Sequence, residues 1–233
     1  MLTFETLNEL TLKVTCTGND TLYVKAGAFI GGESAGVNYS FEKLLLGPEG
    51  GFGQALMGSI MRRMAGENLP LMKVTMKGDS VTYYANYGQH VVIYRLEPGE
   101  TISVESENLL AFTPDCDYKV RFLGKGIFSQ KGLATSALTG NGKNCYVAVL
   151  SDGNPLVLSN VDTGNTITAD PDAVICWIGQ GNCDPSIETD VSWKNLIGQA
   201  SGESYYFAWD DRKRVTVIVQ PSERSGGIRL AVD

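Results

Sequence analysis

Three groups of residues in this 233-residue chain have types that could do chemistry. The first is the glycine-rich stretch Gly47-Pro48-Glu49-Gly50-Gly51-Phe52-Gly53. Loops of this kind cradle phosphates when a lysine reaches the β- and γ-phosphates and a hydroxyl binds Mg²⁺. Neither residue follows at the required spacing, and Glu49 opposes an anion. No strand–helix–strand unit with a later ribose-binding acid surrounds the stretch, so a dinucleotide fingerprint is not supported either. The better reading is a structural connector. Gly140 to Asn144 (GNGKN) likewise reads as a hairpin turn around Asn141-Gly142.

The second group is His90 with five cysteines, Cys16, Cys116, Cys145, Cys176 and Cys183. One histidine is too few for a histidine-built metal centre of the cupin type. A serine hydrolase would need His90 as its base, and the sequence carries no G-x-S-x-G elbow. A cysteine nucleophile paired with His90 stays open as a third functional reading. The cysteine count is odd and there is no C-x-x-C. Cys145 and Cys176 sit in apolar runs, where a free cysteine acts as a small hydrophobe. The expectation is a reduced, cytoplasmic chain. The third group, Asp210-Asp211-Arg212-Lys213-Arg214, reads as a charged hairpin tip before it reads as a contact surface.

The elements that must position these residues are mostly strands. Runs such as LMKVTMK (71–77) alternate apolar and polar side chains with the period of a strand that has one wet face. HVVIYRL, ETISVES, CYVAVL, AVICWI and VTVIVQ follow, separated by turn signals such as EPGE, TPDC and SDGNP. This pattern predicts an all-β chain with few short helices, folded as a sandwich or barrel. One helix is expected over Phe52–Met64, where Phe52, Leu56, Met57, Ile60, Met61 and Met64 share a face. Those six residues are the candidate partner or oligomer surface. A second short helix is expected in DVSWKNLIGQ. The N-terminus lacks the pattern of a signal peptide, and no run approaches eighteen apolar residues, so no transmembrane segment is expected. The formal net charge of −7 argues against DNA and against RNA as default partners, because phosphate binding needs clustered cations.

The chain also resembles itself. LEPGETISVESENLLAF (96–112) lies over VDTGNTITADPDAVICW (161–177) at a constant offset of 65 residues. Gly99, Thr101 and Ile102 match Gly164, Thr166 and Ile167. A fainter copy begins near Val24. Three connectors ending at Gly66, Gly132 and Gly202 each precede a strand pair. A single β domain is expected, with approximate three-fold internal repeats at roughly 24–95, 96–160 and 161–233.

LYVKAGAFIGG, GGFGQALMGSIMRRMAGENLPLMKVTMKG, LEPGETISVESENLLAF and DCDYKVRF resemble bacterial members of a mitochondrial biogenesis family, altered inheritance of mitochondria, member twenty-four. The resemblance covers nearly the whole chain. It implies a β-sandwich similar to the tryptophan RNA-binding attenuator protein fold, with pseudo-repeats and a tendency to form oligomers. The fungal members' inner-membrane role is not carried over, because the chain lacks their Arg- and Ser-rich presequence. The resemblance transfers no catalytic, metal or cofactor residues. The expected function is a non-enzymatic, homo-oligomeric scaffold or binding module with no cofactor. A protein partner and membrane association are left open. The alternative is an RNA- or small-ligand-binding β domain.

Overall fold

The computed structural model describes residues 1–36, 38–43, 71–123, 133–188 and 206–222. They form β1 (Leu2–Leu7), β2 (Thr11–Cys16), β3 (Asp20–Lys25), β4 (Phe29–Ser34), β5 (Tyr39–Lys43), β6 (Leu71–Met76) and β7 (Ser80–Tyr84). There follow β8 (His90–Arg95), β9 (Glu100–Glu105), β10 (Leu109–Phe112), β11 (Cys116–Leu123), β12 (Leu133–Gly140) and β13 (Tyr146–Ser151). The last six are β14 (Leu156–Ser159), β15 (Ile167–Ala169), β16 (Val174–Gln180), β17 (Ser186–Glu188), β18 (Tyr206–Trp209) and β19 (Val215–Val219). The one helical segment among the described residues is a 3-10 turn at Ser106–Asn108. The chain is all-β, as its runs and turns predict. Both expected helices, including Phe52, Leu56, Met57, Ile60, Met61 and Met64, lie outside the described residues, as do the three connectors.

Among the described residues all pairings are antiparallel, in four sheets ordered β1-β2-β7-β4, β5-β6-β3-β10-β13-β8, β11-β12-β9-β16-β19-β14 and β15-β18-β17. After β1, the strands fall into three runs of six. In each run the fifth strand lies between the second and fourth, and the sixth between the first and third. Each run thus places half of its strands in one sheet and half in the next. The third strand of a later run, β10 or β16, hydrogen-bonds the second strand of the run before, β3 or β9.

Three apolar cores form among the described residues, one centred on each run, the first two completed by side chains of the following run. Strands with one wet face alternate: Leu12, Val14 and Cys16 of β2 are buried while Thr11, Lys13 and Thr15 are half-exposed. The central strands do not alternate, because both faces are covered. Leu109, Leu110, Ala111 and Phe112 of β10 are all buried, and so are Val174 through Gly179 of β16. Leu109 and Phe112 belong to the core of the second run, Leu110 and Ala111 to that of the first. A bulge makes this possible. The pairing of β10 with β13 shifts register between Leu109 and Ala111, that of β16 with β19 between Val174 and Cys176, and that of β4 with β7 between Phe29 and Gly31. Gly99 and Gly164, matched in the sequence, both turn with φ in the left-handed region (84° and 66°) before β9 and β15.

Tyr84, at the end of β7, sits fully buried in the first core, with its hydroxyl unpaired among the described residues. Burial pushes its pKa up to about 12, and burial also raises that of Tyr94. A tyrosine unfolds into water with a pKa near 10. The folded state therefore keeps a proton that the unfolded state loses as pH climbs above 10. Stability is full below that pH and should fall by about 1.4 kcal/mol per pH unit between about 10 and 12 for Tyr84 alone. Urea unfolding across this range should show the loss. Tyr84→Phe should lessen the slope by its own share, about 1.4 kcal/mol per pH unit, leaving that of Tyr94 and keeping stability near neutrality within about 1 kcal/mol; an unchanged alkaline slope would contradict the assignment.

Candidate functional site

His90 opens β8 and lines a shallow cleft of about 280 Å³ with Thr6, Glu9, Val92, Asn154 and Pro155. Its Nδ1 lies 3.9 Å from Glu9 Oε2. The Val91 amide donates to the Glu9 carbonyl at 2.8 Å, which fixes the tight turn between β1 and β2 against β8. Asn8 and Glu9 form that turn with φ of 43° and 62°, a strained choice for the glutamate. A carboxylate beside a histidine is half of a catalytic relay. The other half, a nucleophile within hydrogen-bond reach, has to follow. Ser151 is the ladder partner of His90 across β8 and β13, but it is fully buried and its hydroxyl is unpartnered among the described residues. It makes no hydrogen bond to His90 and does not open to a substrate.

The cysteines do not supply the nucleophile. Cys116, the first residue of β11, and Cys145, just before β13, form a disulfide with their Cα atoms 5.2 Å apart. This corrects the expectation of a reduced chain in which Cys145 is a free hydrophobe. The pairing is set by the register of β11 on β12 and by the short connection into β13, which the spacing of 29 residues does not reveal. Cys16, Cys176 and Cys183 are free and buried. Burial raises the pKa of all three thiols, most strongly that of Cys176 in the second core. A buried thiol with a raised pKa is inert at neutral pH. None of the three lines the His90 cleft.

A second cleft, about 330 Å³, opens on the sheet containing β9, β11 and β12. Thr101, Lys119, Arg121, Ala137, Thr139, Gly181 and Asn182 line it. Cross-strand pairing sets its floor: Thr101 and Thr139 are ladder partners, and their hydroxyls share a hydrogen bond of 2.8 Å. Arg121 is ion-paired with Asp184, which the loop after β16 brings over the sheet. Asp184 so offsets one of the two cations, and Lys119 supplies the remaining positive charge. Donors and one net charge suit a small anionic or polar ligand better than a polynucleotide track. The sequence reading missed this cleft because its residues come from four separated segments. The cluster at 210–214 is a turn but not the expected hairpin tip, because the strands it joins, β18 and β19, lie in different sheets; Asp210 accepts from the Arg212 amide at 3.1 Å and from its guanidinium, which holds the carboxyl below its usual range. No helix among the described residues is long and apolar enough to cross a membrane.

Residues 4–221 match the family described as Mitochondrial biogenesis AIM24, and the chain belongs to that family. The crystal structure of protein SPYM3_0169 from Streptococcus pyogenes is similar, with a TM-score of 0.67 at 16% identity, over 96% of this chain and 94% of that one. At that identity the likeness establishes the fold alone. None of the curated proteins compared with the chain matches it.

Thiol labelling checks the cysteine assignment. The native protein should take up no thiol reagent at pH 8. Unfolding in urea should expose Cys16, Cys176 and Cys183, and Cys116 and Cys145 should label only after reduction. Peptide mass spectrometry reads each site; labelling of Cys183 in the native state would restore a reactive cysteine.

Proposed function

We propose that the chain is a non-enzymatic scaffold or binding module built from three copies of one six-stranded unit and acting as a homo-oligomer. In this reading the units are β2–β7, β8–β13 and β14–β19, so the cuts fall between β7 and β8 and between β13 and β14. The carrying observation is the pairing order, which recurs in all three runs together with the bulge in the third strand. A fold that joins like units by adding strand to strand is suited to building larger surfaces. The burial of the thiols and the isolation of His90 support the same reading. In this reading the protein works in the cytoplasm; the Cys116–Cys145 bond is the feature that pulls the other way.

A second reading, small-ligand binding, rests on the Thr101–Lys119–Arg121–Thr139 cleft. Titration with inorganic phosphate, followed by NMR or calorimetry, should show saturable binding that Lys119→Ala weakens about ten-fold, as expected for one charge-assisted contact. No saturation, or no effect of the substitution, removes this reading. For the scaffold, light scattering on the full chain at micromolar concentration should give a mass that is a multiple of the chain. A clean monomer would count against it.

A further inference from the structure

We propose that β4 of one molecule pairs antiparallel with β15 of another, so that copies of this chain join head to tail. The proposal rests on the scaffold reading and names its partner and register. It follows from comparing equivalent strands. Wherever a run has a predecessor, its third strand joins that predecessor's second strand: β10 on β3, with Ala111 opposite Val24, and β16 on β9, with Cys176 opposite Val104. The first run has no predecessor and the third no successor. β4, the third strand of the first run, ends its sheet, and β15, the second strand of the third run, ends its own. The other sheet edges are formed by β1 and by the first and fourth strands of runs. Where those first and fourth strands carry no extra strand, they are edges in every run. Apart from β8 and β14, whose counterpart β2 is covered by the additional strand β1, β4 and β15 are the edges among the described strands whose counterparts are interior.

The side chains show the same vacancy. The bulged residue of the third strand, Leu110 in β10 and Ile175 in β16, is fully buried, and each belongs to the core of the preceding run. Its counterpart in β4, Ile30, is 59% exposed. On the receiving side, Cys16 and Leu96 stand at one position in the first and second runs. They lie in the same cores that take in Leu110 and Ile175. Their counterpart in the third run, Val161, is 50% exposed. Ser103 of β9 is buried, whereas Thr168 of β15 is exposed. Ile30 on one end and Val161 with β15 on the other are thus the two halves of a junction that the chain already forms twice. Transfer of the two observed registers sets Gly31 opposite Ala169 and Gly32 opposite Thr168. An interface between unlike surfaces of identical molecules makes rings where the rotation closes and filaments where it does not.

Mixing two single-site variants tests the pairing. Gly31→Cys adds a Cβ in ordinary contact with Tyr83, 3.8 Å away, and Gly31 is not in the left-handed region, so the strand tolerates it. Ala169 is half-exposed, and the native free cysteines are buried. Under mild oxidation the mixture of Gly31→Cys and Ala169→Cys proteins should give a covalent dimer holding one of each, and neither protein alone should give it. In parallel, Ile30→Asp should reduce the mass by light scattering to one chain with an unchanged circular dichroism spectrum. A wild-type oligomer without the mixed cross-link would place the interface elsewhere, overturning the pairing and leaving the scaffold reading intact. A monomeric wild type would remove both. If a Gly31→Cys/Ala169→Cys double variant cross-linked only within one chain, the two edges would close on each other, and the head-to-tail pairing would be overturned.

Discussion

β10 and β16 are buried on both faces, and the rest of the molecule is arranged around what such a strand requires. A strand in this position has no water to satisfy its amides and carbonyls, so they must be spent on neighbouring strands. β10 spends them on β3 and β13, and β16 spends them on β9 and β19. Its side chains must also fill two cores at once. Four consecutive buried apolar residues contribute on the order of 1.5–3 kcal/mol each for the larger ones, but only while sheets stand on both sides. The sheets that hold β10 and β16 are therefore shared between successive runs, and the cores are linked through them.

The same constraint decides where polar groups sit. Where a chain segment must leave a sheet near a core, a buried amide side chain takes over the hydrogen bonds that the ladder gives up. Asn160, fully buried after β14, donates to the carbonyls of Asn165 and Lys213 and accepts from the Val215 amide. Asn108, just before β10, donates to the Leu150 carbonyl at 2.8 Å. Trp209 solves the problem within the third core by donating its indole N–H to the Cys183 carbonyl at 2.9 Å while its ring packs beside Trp177 and Phe207. Reactive residue types are thus consumed by packing, and the charged ones are left at turns and on the outer faces of strands.

How much of this could be read from the sequence depended on how local the cause was. The alternation of β6 is local, and Val74 and Met76 are buried as its period demands. The turn glycines 99 and 164 are local too. The unbroken apolar runs of β10 and β16 announced burial, but not that two different cores share it, because that follows from sheets assembled out of distant runs. The Cys116–Cys145 bond was hidden for the same reason: apolar neighbours signal burial equally well for a free and for a bonded cysteine. The lysine-bearing cleft beside Thr101 and Thr139 draws on β9, β11, β12 and the loop after β16, so no window of sequence contains it.

β4 shows what happens when this constraint meets a strand with no second sheet beside it. At the position of Phe112 and Trp177 the first run has Gly32. A side chain there is not merely missing: a Cβ would come within 2.9 Å of the Tyr39 ring, which occupies the space. Tyr39, Phe41, Phe29 and Tyr84 form an aromatic group with ring centroids 4.7–6.0 Å apart, so the inner face of β4 is closed by residues of its own run. The outer face has Ile30, Gly31 and Glu33. Substituting glycine for the large inward residue and supplying tyrosine from the adjacent strand makes the first run self-sufficient on one side. It leaves a flat, small-residue edge on the other, where Glu33 is the one charged side chain of the strand. β10 and β16 hold large residues on both sides because the chain itself provides both neighbours. β4 has the aromatic rings of its own run on one side and an exposed Ile30 on the other.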